Sequence, residues 1–320
     1  MSAESTEKIR LGVSSCLLGE KVRFDGGHKH DRFLTETLGR YVEYVPVCPE
    51  VELGLPTPRE TLRLVGTPDK QRLVFSKSGE DITENMQSWA KNRVTELEKD
   101  GLSGFIFKSK SPSSGMARVK LYDKNGSPNT QGVGLFAKAF MEHFPLLPVE
   151  EDGRLNDPGL RENFIEIIFT LKRWRESIAN GKTRGGLVGF HSRHKLLLLA
   201  HSPEIYRLMG KLVAAGKEVK TTQIYADYLA LLMKGLRLQT TTRKHVNVMQ
   251  HVLGYFKKQL TTDEKQEVLQ VITDYRSGLM PLIVPITLLN HFIRKYDQPY
   301  LKQQVYLSPH PLELQLRNHV

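Results

Sequence analysis

Cysteine is scarce in this chain, with only Cys16 and Cys48 among its 320 residues. Two cysteines fit a reducing compartment better than a disulfide framework, and the CxxC spacing of a redox pair is absent. Each thiol is therefore interpreted either as a buried packing residue or as a metal ligand. Both cysteines follow predicted strands among glycines and prolines, which favours ligands. Two thiolates complete neither a zinc site nor an iron–sulfur cluster, so a third ligand is required.

Long apolar runs are also missing. No run approaches the roughly 18 residues of a membrane-spanning helix, and the opening residues, MSAESTEKIR, contain no apolar core typical of a signal peptide. We therefore expect a cytoplasmic protein with no membrane partner. Hydrophobic residues make up 39% of the chain, enough for a substantial core, and the length suggests two domains.

Negative charge is scarce in the second half only. Residues 161–320 carry 24 lysines and arginines against 12 aspartates and glutamates, whereas residues 1–160 carry 22 against 23. A neutral half joined to a basic half indicates a catalytic module attached to a module that holds a polyanion. The alternative is a helical domain whose positive charge serves only solubility.

The first half alternates strand and helix patterns. Predicted strands cover residues 8–15, 41–47 and 102–109, and helical patterns lie between and after them. This order indicates βαβ units, so we predict an α/β domain over residues 1–158 with a mainly parallel, Rossmann-like sheet. From residue 159 to residue 320 the apolar period is helical, which predicts an all-α domain.

Three loops are expected to meet at one edge of the predicted sheet. Cys16 follows the first predicted strand, Cys48 follows the second, and the third leads into the serine-rich stretch FKSKSPSSG. Loops after the carboxyl ends of parallel strands line one crevice. The sequence therefore predicts that both thiols and the serine-rich loop share a site.

Three motifs carry a resemblance to a known family. The chain resembles the thiouracil desulfidase domain, in which three cysteines hold a 4Fe-4S cluster, in the segments CLLGEKVRFDGGHK, CPEVELGLPTPRE and KSKSPSSG. Its second half resembles the helical domain found fused to that domain, in FHSRHKLLLLAH, KHVNVMQHVLGYF, YRSGLMPLIVPITLLNHF and YLSPHPLELQLRN. The arrangement is similar to tRNA 4-thiouridine desulfidases. The resemblance implies a 4Fe-4S cofactor, a tRNA partner containing 4-thiouridine, and its conversion to uridine with release of hydrogen sulfide.

The resemblance breaks at the third ligand. It implies that Cys16 and Cys48 bind the cluster, and the third cysteine of the family motif falls on Ser114. A serine hydroxyl is far less acidic than a thiol, and its oxygen is a harder ligand that binds iron poorly. We therefore expect the chain with Ser114 to hold a full cluster poorly. Ala117 also departs from a glutamate expected at that position.

Polar side chains flank the expected ligands. We interpret Glu50, next to Cys48, as the candidate general acid and base, and Ser109 and Ser111 as donors that steady the base or a developing anion. The alternatives are a solvated loop carboxylate for Glu50 and turn-capping roles for the serines. The remaining candidates for substrate binding in this pocket are Asp25, Lys108 and Lys110.

The basic half offers candidate phosphate contacts for RNA. His191, His194 and His201 have no accompanying cysteine or carboxylate in the sequence, so packing or phosphate contact is preferred over metal binding. Aromatic residues between the cations could stack on splayed bases, although such residues are more often part of a core. The candidate cations are Arg193, Lys195, Lys234, Arg237, Arg243, Lys244, Lys257, Lys258, Arg294 and Lys295, and the candidate aromatics are Tyr255, Phe256, Tyr296 and Tyr300.

Three functions follow from these observations. The first is a tRNA 4-thiouridine desulfidase in which Ser114 puts the activity of this exact chain in question. The second is a desulfidase of free thiouracil whose helical half serves oligomerisation. The third is a non-catalytic RNA-binding protein.

Overall fold

The computed structural model describes residues 8–215 and 219–319. The chain divides into two units, Met1–Asn156 and Asp157–Val320. The boundary coincides with a helix start, because the Asp157 side chain accepts a hydrogen bond of 2.9 Å from the backbone N–H of Leu160. Aspartate at this position satisfies a backbone donor that the first helical turn leaves without a partner.

The described part of the first unit contains eight strands and three α-helices. The strands are β1 (Ile9–Ser14), β2 (Val42–Val47), β3 (Leu62–Thr67), β4 (Lys70–Phe75), β5 (Phe105–Phe107), β6 (Val119–Tyr122), β7 (Pro128–Gly132) and β8 (Val149–Glu151). The helices are α1 (Pro49–Glu52), α2 (Thr83–Leu97) and α3 (Leu135–His143).

One sheet is parallel throughout, with strand order β2-β1-β5-β8. This confirms the predicted α/β class and the mainly parallel sheet. Phe105 and Phe107 of β5 pack against Phe136 and Phe140 of α3, forming the core beneath the sheet. Gly12 in β1 has no room for a side chain, since a Cβ atom there would overlap the Phe105 ring. The close approach of β1 and β5 therefore requires glycine.

A second sheet was not predicted. It has the order β4-β3-β6-β7 and consists of two antiparallel hairpins joined by parallel pairing of β3 with β6. Only one or two residues of each of β3 and β4 are buried, among them Leu64 and Leu73. The apolar signal of these strands is therefore weak compared with that of β1 and β5, whose residues are almost all buried.

The described part of the second unit is helical, which confirms the predicted all-α half. Its closing segment, 305–319, contains only short helical turns. This segment is anchored by Arg317, whose Nε donates a hydrogen bond of 2.7 Å to Glu162 Oε1. None of the helices within 8–215 and 219–319 has the length and apolar character needed to cross a bilayer. The helices are α4 (Pro158–Ile178), α5 (Arg184–His201), α6 (Pro203–Val213), α7 (Thr221–Leu236), α8 (Thr242–Gly254), α9 (Thr262–Arg276), α10 (Ile283–Lys295) and α11 (Pro299–Lys302).

Candidate functional site

Three loops of the first unit enclose one cavity of about 420 Å³. Cys16 lies in the turn after β1, Cys48 lies between β2 and α1, and Ser114 lies in the loop after β5. All three side chains line the cavity. The carboxyl ends of parallel strands thus bring together residues almost 100 positions apart, as the alternation of elements predicts.

Both thiols are largely shielded from solvent. Burial raises the pKa of Cys16 to about 11, and Lys108 opposes this shift. Burial also raises the pKa of Cys48 to about 12, and Glu50 adds to it because a carboxylate disfavours a nearby thiolate. The Cys48 thiol lies 3.7 Å from Glu50 Oε2. Without a bound cation, both sulfurs are therefore neutral thiols at neutral pH.

Ser114 is buried at the tip of the serine-rich loop. Its backbone N–H donates to Ser111 Oγ at 3.1 Å, and its own Oγ lies 3.4 Å from Ser113 Oγ. The loop packs closely on Gly134, where a Cβ atom would lie 2.5 Å from the carbonyl carbon of Ser113 and 2.7 Å from the Ser114 nitrogen. This packing fixes the direction in which the side chain at position 114 enters the cavity.

Glu50 connects the second and third loops. Ser113 Oγ donates 2.6 Å to Glu50 Oε1, and Arg59 NH2 lies 3.9 Å from Glu50 Oε2. Arg59 is itself held by Thr57, whose Oγ1 accepts from NH1 at 3.1 Å. Neither Ser113 nor Arg59 was predicted to contribute. The motifs SPSSG and PTPRE contain them, but spacing alone does not show which hydroxyl or cation faces the carboxylate.

Ser109 and Ser111 line the cavity, and their polar groups also hold the loop together. Ser111 Oγ accepts from the N–H groups of both Ser113 and Ser114, at 3.4 and 3.1 Å. Ser109 N–H donates 2.7 Å to Asp152 Oδ1. The contacts of Ser111 are those of the turn-capping alternative.

Lys108 is fixed by Asp152, an acidic residue that was not predicted to belong to the site. Its Nζ donates to Asp152 Oδ2 at 2.9 Å and to Ser109 Oγ at 3.0 Å. Burial opposes ionisation of Asp152, but the N–H of Ser109 and the ammonium of Lys108 outweigh it and lower the pKa of Asp152. Lys110 also lines the cavity, is exposed, and has a left-handed backbone with φ of 60°.

Asp25 is not among the residues that line the cavity, contrary to the expectation. It is exposed, accepts the Gly27 N–H at 3.0 Å and lies 3.5 Å from Arg23 Nε. The neighbouring Arg23 and Phe24 line the cavity instead.

Comparison with known proteins agrees with the division of the chain into two units. The 2-thiouracil desulfurase family model matches residues 11–152, and the model of DUF1722, a protein of unknown function, matches residues 195–311. The uncharacterized protein YbgA of Escherichia coli (strain K12) is 34% identical over 152 residues, which are 47% of this chain and 90% of YbgA. The uncharacterized protein YbbK of Bacillus subtilis (strain 168) is 32% identical over 108 residues, which are 32% of this chain and 71% of YbbK.

The chain belongs to the 2-thiouracil desulfurase family, and carries a DUF1722 domain after the desulfurase domain. Among solved structures, it is similar to TudS, described as a 4Fe-4S-dependent thiouracil desulfidase. The identity is 29%, the match covers 47% of this chain and 95% of that chain, and the TM-score is 0.39.

The donor set of the desulfurase domain is one thiolate short of three. Among residues 8–215 and 219–319, no group of three or more His, Cys, Asp or Glu side chains is placed to hold a metal ion. The cavity offers two thiols, Cys16 and Cys48, and the hydroxyl of Ser114. A hydroxyl oxygen is a harder and weaker ligand for iron than a thiolate, so these residues do not fit a cluster held by three cysteines.

His191, His194 and His201 of the second unit are buried. His191 Nδ1 lies 3.1 Å from Tyr228 OH, and His194 Nδ1 lies 2.8 Å from the Phe190 carbonyl. Burial lowers the pKa of His191 to about 4 and that of His194 to about 3. His201 contacts the buried carboxylate of Glu166, with Nε2 2.5 Å from Oε1. The contacts of His191 and His194 are those of packing residues. For His201 the expectation that no carboxylate accompanies it was wrong, because the fold places Glu166 beside it although the two are 35 residues apart in sequence.

The candidate RNA-binding cations of the second unit differ in their surroundings. The Nζ of Lys244 donates hydrogen bonds to the carbonyl oxygens of His201 and Gln239, at 2.6 and 3.1 Å. Its ammonium group is therefore already bound to the backbone near the start of α8. Lys295 pairs with Glu264 at 2.6 Å. Lys195 is half-buried. The exposed members are Arg193, Lys234, Arg237, Arg243, Lys257, Lys258, Arg294 and Lys295.

Proposed function

We propose that this chain recognises 4-thiouridine in tRNA and has the architecture of a tRNA 4-thiouridine desulfidase, with removal of the sulfur requiring a cysteine at position 114. The observation that carries the proposal is the meeting of Cys16, Cys48, Ser114 and Glu50 at one cavity within the desulfurase domain. Two of the three ligand positions implied by the family motif hold thiols. The third holds a hydroxyl on the same loop.

This proposal includes a 4Fe-4S cluster only for the Ser114→Cys variant. Because the donor set of the present chain does not fit the cluster, we derive no reaction step through it. The roles of the chain's own residues do not depend on whether the cluster is bound. Glu50 is held by Ser113 and Arg59 and faces the cavity next to Cys48, where a carboxylate can accept and return a proton.

The charge of the cavity supports a substrate that carries phosphate groups. Its acidic lining residues are Glu50 and Glu60, while five cationic residues line it: Arg23, Lys29, Arg59, Lys108 and Lys110. A cavity with this excess attracts an anion more strongly than it attracts a neutral base. The positive charge of residues 161–320 supports the same class of substrate, since phosphate contacts supply most of the non-specific affinity for RNA.

The test compares the present chain with its Ser114→Cys variant, both purified and reconstituted with iron and sulfide under anaerobic conditions. We expect the variant to gain broad visible absorption and about four iron atoms per chain, and to convert 4-thiouridine in thiolated tRNA to uridine. The present chain, and Cys16→Ser in the Ser114→Cys background, serve as matched controls that lack one thiolate. A variant that binds the cluster but leaves both thiolated tRNA and free thiobases unchanged would contradict the proposal.

A second candidate is desulfuration of free thiouracil. The matching family and TudS are both named for activity on thiouracil. The same Ser114→Cys protein decides between the substrates when the initial rates on thiolated tRNA and on free thiouracil are compared at equal concentration. Release of sulfide from the free base alone would favour this candidate.

A third candidate is RNA binding without catalysis, and Ser114 is the observation that favours it. In this case the present chain binds tRNA, and Cys16→Ser and Cys48→Ser do not change its affinity. An affinity that also remains unchanged when 4-thiouridine in the tRNA is replaced by uridine would show that the cavity takes no part in binding.

A further inference from the structure

Three tyrosines from three separate elements meet on the second unit. Tyr255 directly follows α8, Tyr300 lies on α11 and Tyr206 lies on α6. The rings of Tyr255 and Tyr300 stack, with centroids 5.3 Å apart and planes 20° apart. Tyr206 lies close enough to Tyr300 to contribute to its raised pKa. We call these three residues the tyrosine surface.

The stacked pair is not part of the core. Tyr255 is 48% exposed, and Tyr300 and Tyr206 are half-buried. The neighbouring Phe256 is completely buried, so a surface aromatic residue is followed directly by a core aromatic residue. Tyrosine is favoured at interaction surfaces because its ring is a large apolar face and its hydroxyl tolerates water.

Tyr300 is uncharged at neutral pH. Burial raises the pKa of Tyr300 to about 12, with a further contribution from the adjacent Tyr255. The stacked pair therefore includes a neutral ring. Neutral aromatic faces are the partners on which unpaired bases stack, because every base presents a π-face of similar size.

Positive side chains are next to the tyrosines along the chain. Lys257 and Lys258 follow Tyr255, and Arg207 follows Tyr206; all three are exposed. None of them belongs to an ion pair found among residues 8–215 and 219–319. The charged neighbours on the other elements are Glu204 on α6 and Lys302 on α11, and Lys302 pairs with Asp297. Along the chain, cations thus outnumber carboxylates next to the three tyrosines.

We propose that the tyrosine surface is a binding site for unpaired RNA bases, which stack on the Tyr255–Tyr300 pair while Lys257, Lys258 and Arg207 contact the flanking phosphates. The combination of stacked rings and exposed cations fits a single strand, in which base faces and phosphates are both accessible. A fully paired duplex hides its base faces and offers phosphates only. This inference rests on the proposed function in taking RNA as the partner, and it adds the site and the single-stranded character of the bound segment.

The test measures RNA affinity of the full-length chain by fluorescence anisotropy, with a single-stranded RNA and a fully paired RNA of equal length. We expect Tyr255→Ala and Tyr300→Ala to weaken binding of the single strand about tenfold, with less than about a twofold change for the duplex. Tyr255→Phe keeps the ring and is expected to bind as the parent chain does. Circular dichroism establishes that each variant is folded.

The cations give a second, distinguishable signature. Lys257→Ala and Lys258→Ala are expected to weaken both RNAs and to reduce the slope of log affinity against log salt by about 0.7 to 0.9 for each phosphate that is no longer neutralised. Lys124→Ala, which removes an exposed lysine of the first unit, is the matched control for a change in net charge. Ultraviolet crosslinking of the unmodified chain to the single strand is expected to label the peptides containing Tyr255 or Tyr300, and this measurement needs no variant.

Each outcome decides a different question. A parent chain that binds neither RNA would overturn the RNA partner of the proposed function and, with it, this inference. A parent chain that binds RNA, with tyrosine variants of unchanged affinity and crosslinks elsewhere, would overturn this inference alone. Loss of self-association in the tyrosine variants, with RNA affinity intact, would show that the tyrosine surface binds another copy of the chain instead.

Discussion

The hydroxyl of Ser113 donates a hydrogen bond of 2.6 Å to Oε1 of Glu50, although 63 residues separate them in sequence. Ser113 belongs to the loop after β5, and Glu50 lies in the first turn of α1. The other oxygen of Glu50 faces the Cys48 thiol and Arg59. One hydrogen bond therefore determines which carboxylate oxygen is directed at the expected ligand.

Removal of this hydrogen bond is expected to impair catalysis without affecting cluster assembly. In the Ser114→Cys background, Ser113→Ala is expected to lower kcat for desulfuration about tenfold, since a hydrogen bond to a charged group contributes about 1.5–3 kcal/mol. Ser113→Thr keeps a hydroxyl and is expected to retain most of the rate. Iron content is measured for both variants, and a parallel loss of iron would show that Ser113 supports the ligand loop rather than Glu50.

Gly134 is expected to be essential for the position of the serine-rich loop. Its φ of −59° is accessible to alanine, so the cost of Gly134→Ala comes from the overlap of the new Cβ with Ser113 and Ser114. We expect a loss of about 1–3 kcal/mol in the free energy of unfolding of the first unit. Urea titration followed by Trp89 fluorescence in a Trp174→Phe background reports on that unit.

Gly189 provides a control for this substitution in the second unit, followed by Trp174 fluorescence in a Trp89→Phe background. It lies within α5, and a Cβ atom there meets nothing within 4 Å. Gly189→Ala is expected to be neutral or to stabilise by up to about 1 kcal/mol, because alanine has the higher helix propensity. Equal urea midpoints for Gly134→Ala and the parent chain would mean that the loop is free to move away from α3.

The two thiols are expected to react slowly with alkylating reagents. With folded-state pKa values of about 11 and 12, the thiolate fractions of Cys16 and Cys48 at pH 8 are very small. Alkylation by iodoacetamide at pH 8 is expected to be on the order of 100-fold slower than in the urea-unfolded chain, and to accelerate as the pH rises toward 11. Mass spectrometry gives the rate for each cysteine.

The Lys108→Met substitution is expected to affect the reactivity of Cys16 and that of Cys48 differently. Lys108 opposes the raised pKa of Cys16, whereas Arg59 is the cation that opposes it at Cys48. The substitution is therefore expected to slow alkylation of Cys16 and to leave Cys48 nearly unchanged. Equal rates for the native and unfolded chains at pH 8 would be incompatible with burial of the two thiols.

The sequence is most informative where a strand is buried on both faces. The buried runs of β1 and β5 and the β-branched and aromatic composition of β2 predicted three strands of the parallel sheet, and with them the position of both cysteines after a strand. The hairpin of β3 and β4 buries few residues, chiefly Leu64 and Leu73, and its polar remainder has the composition of a loop. No local signal distinguishes such a hairpin from a loop.

The details of the candidate site depend on contacts that spacing does not encode. Ser111 and Ser113 are both polar residues of one short motif, but only Ser113 reaches Glu50, because the turn directs Ser111 back onto its own backbone. Asp152 comes from the end of β8 and Arg59 from the segment before β3. Their roles follow from tertiary packing alone.

The buried ion cluster of the second unit provides a prediction with a defined pH dependence. Arg317 Nε donates 2.7 Å to Glu162 Oε1, and Arg317 NH2 donates 3.4 Å to Glu166 Oε2. Burial opposes ionisation of Glu162, but His310 and Arg317 outweigh it and lower its pKa to about 2. Arg317→Met is expected to destabilise the second unit by about 3–5 kcal/mol, because two carboxylates remain buried without their cation.

The sign of the pH effect follows from the lowered pKa of Glu162. Its ionised form stabilises the fold fully above the ordinary pKa of 4.5, and this stabilisation is lost as the pH falls from 4.5 toward 2. In Arg317→Met the favourable partner of the carboxylate is gone, so acidification over the same range is expected to narrow the difference in stability from the parent chain. Urea titrations at pH 7 and pH 3.5, followed by Trp174 fluorescence in a Trp89→Phe background, measure that difference. If the free energies of unfolding of the parent chain and of Arg317→Met differ by as much at pH 3.5 as at pH 7, Arg317 acts through packing and not through its charge.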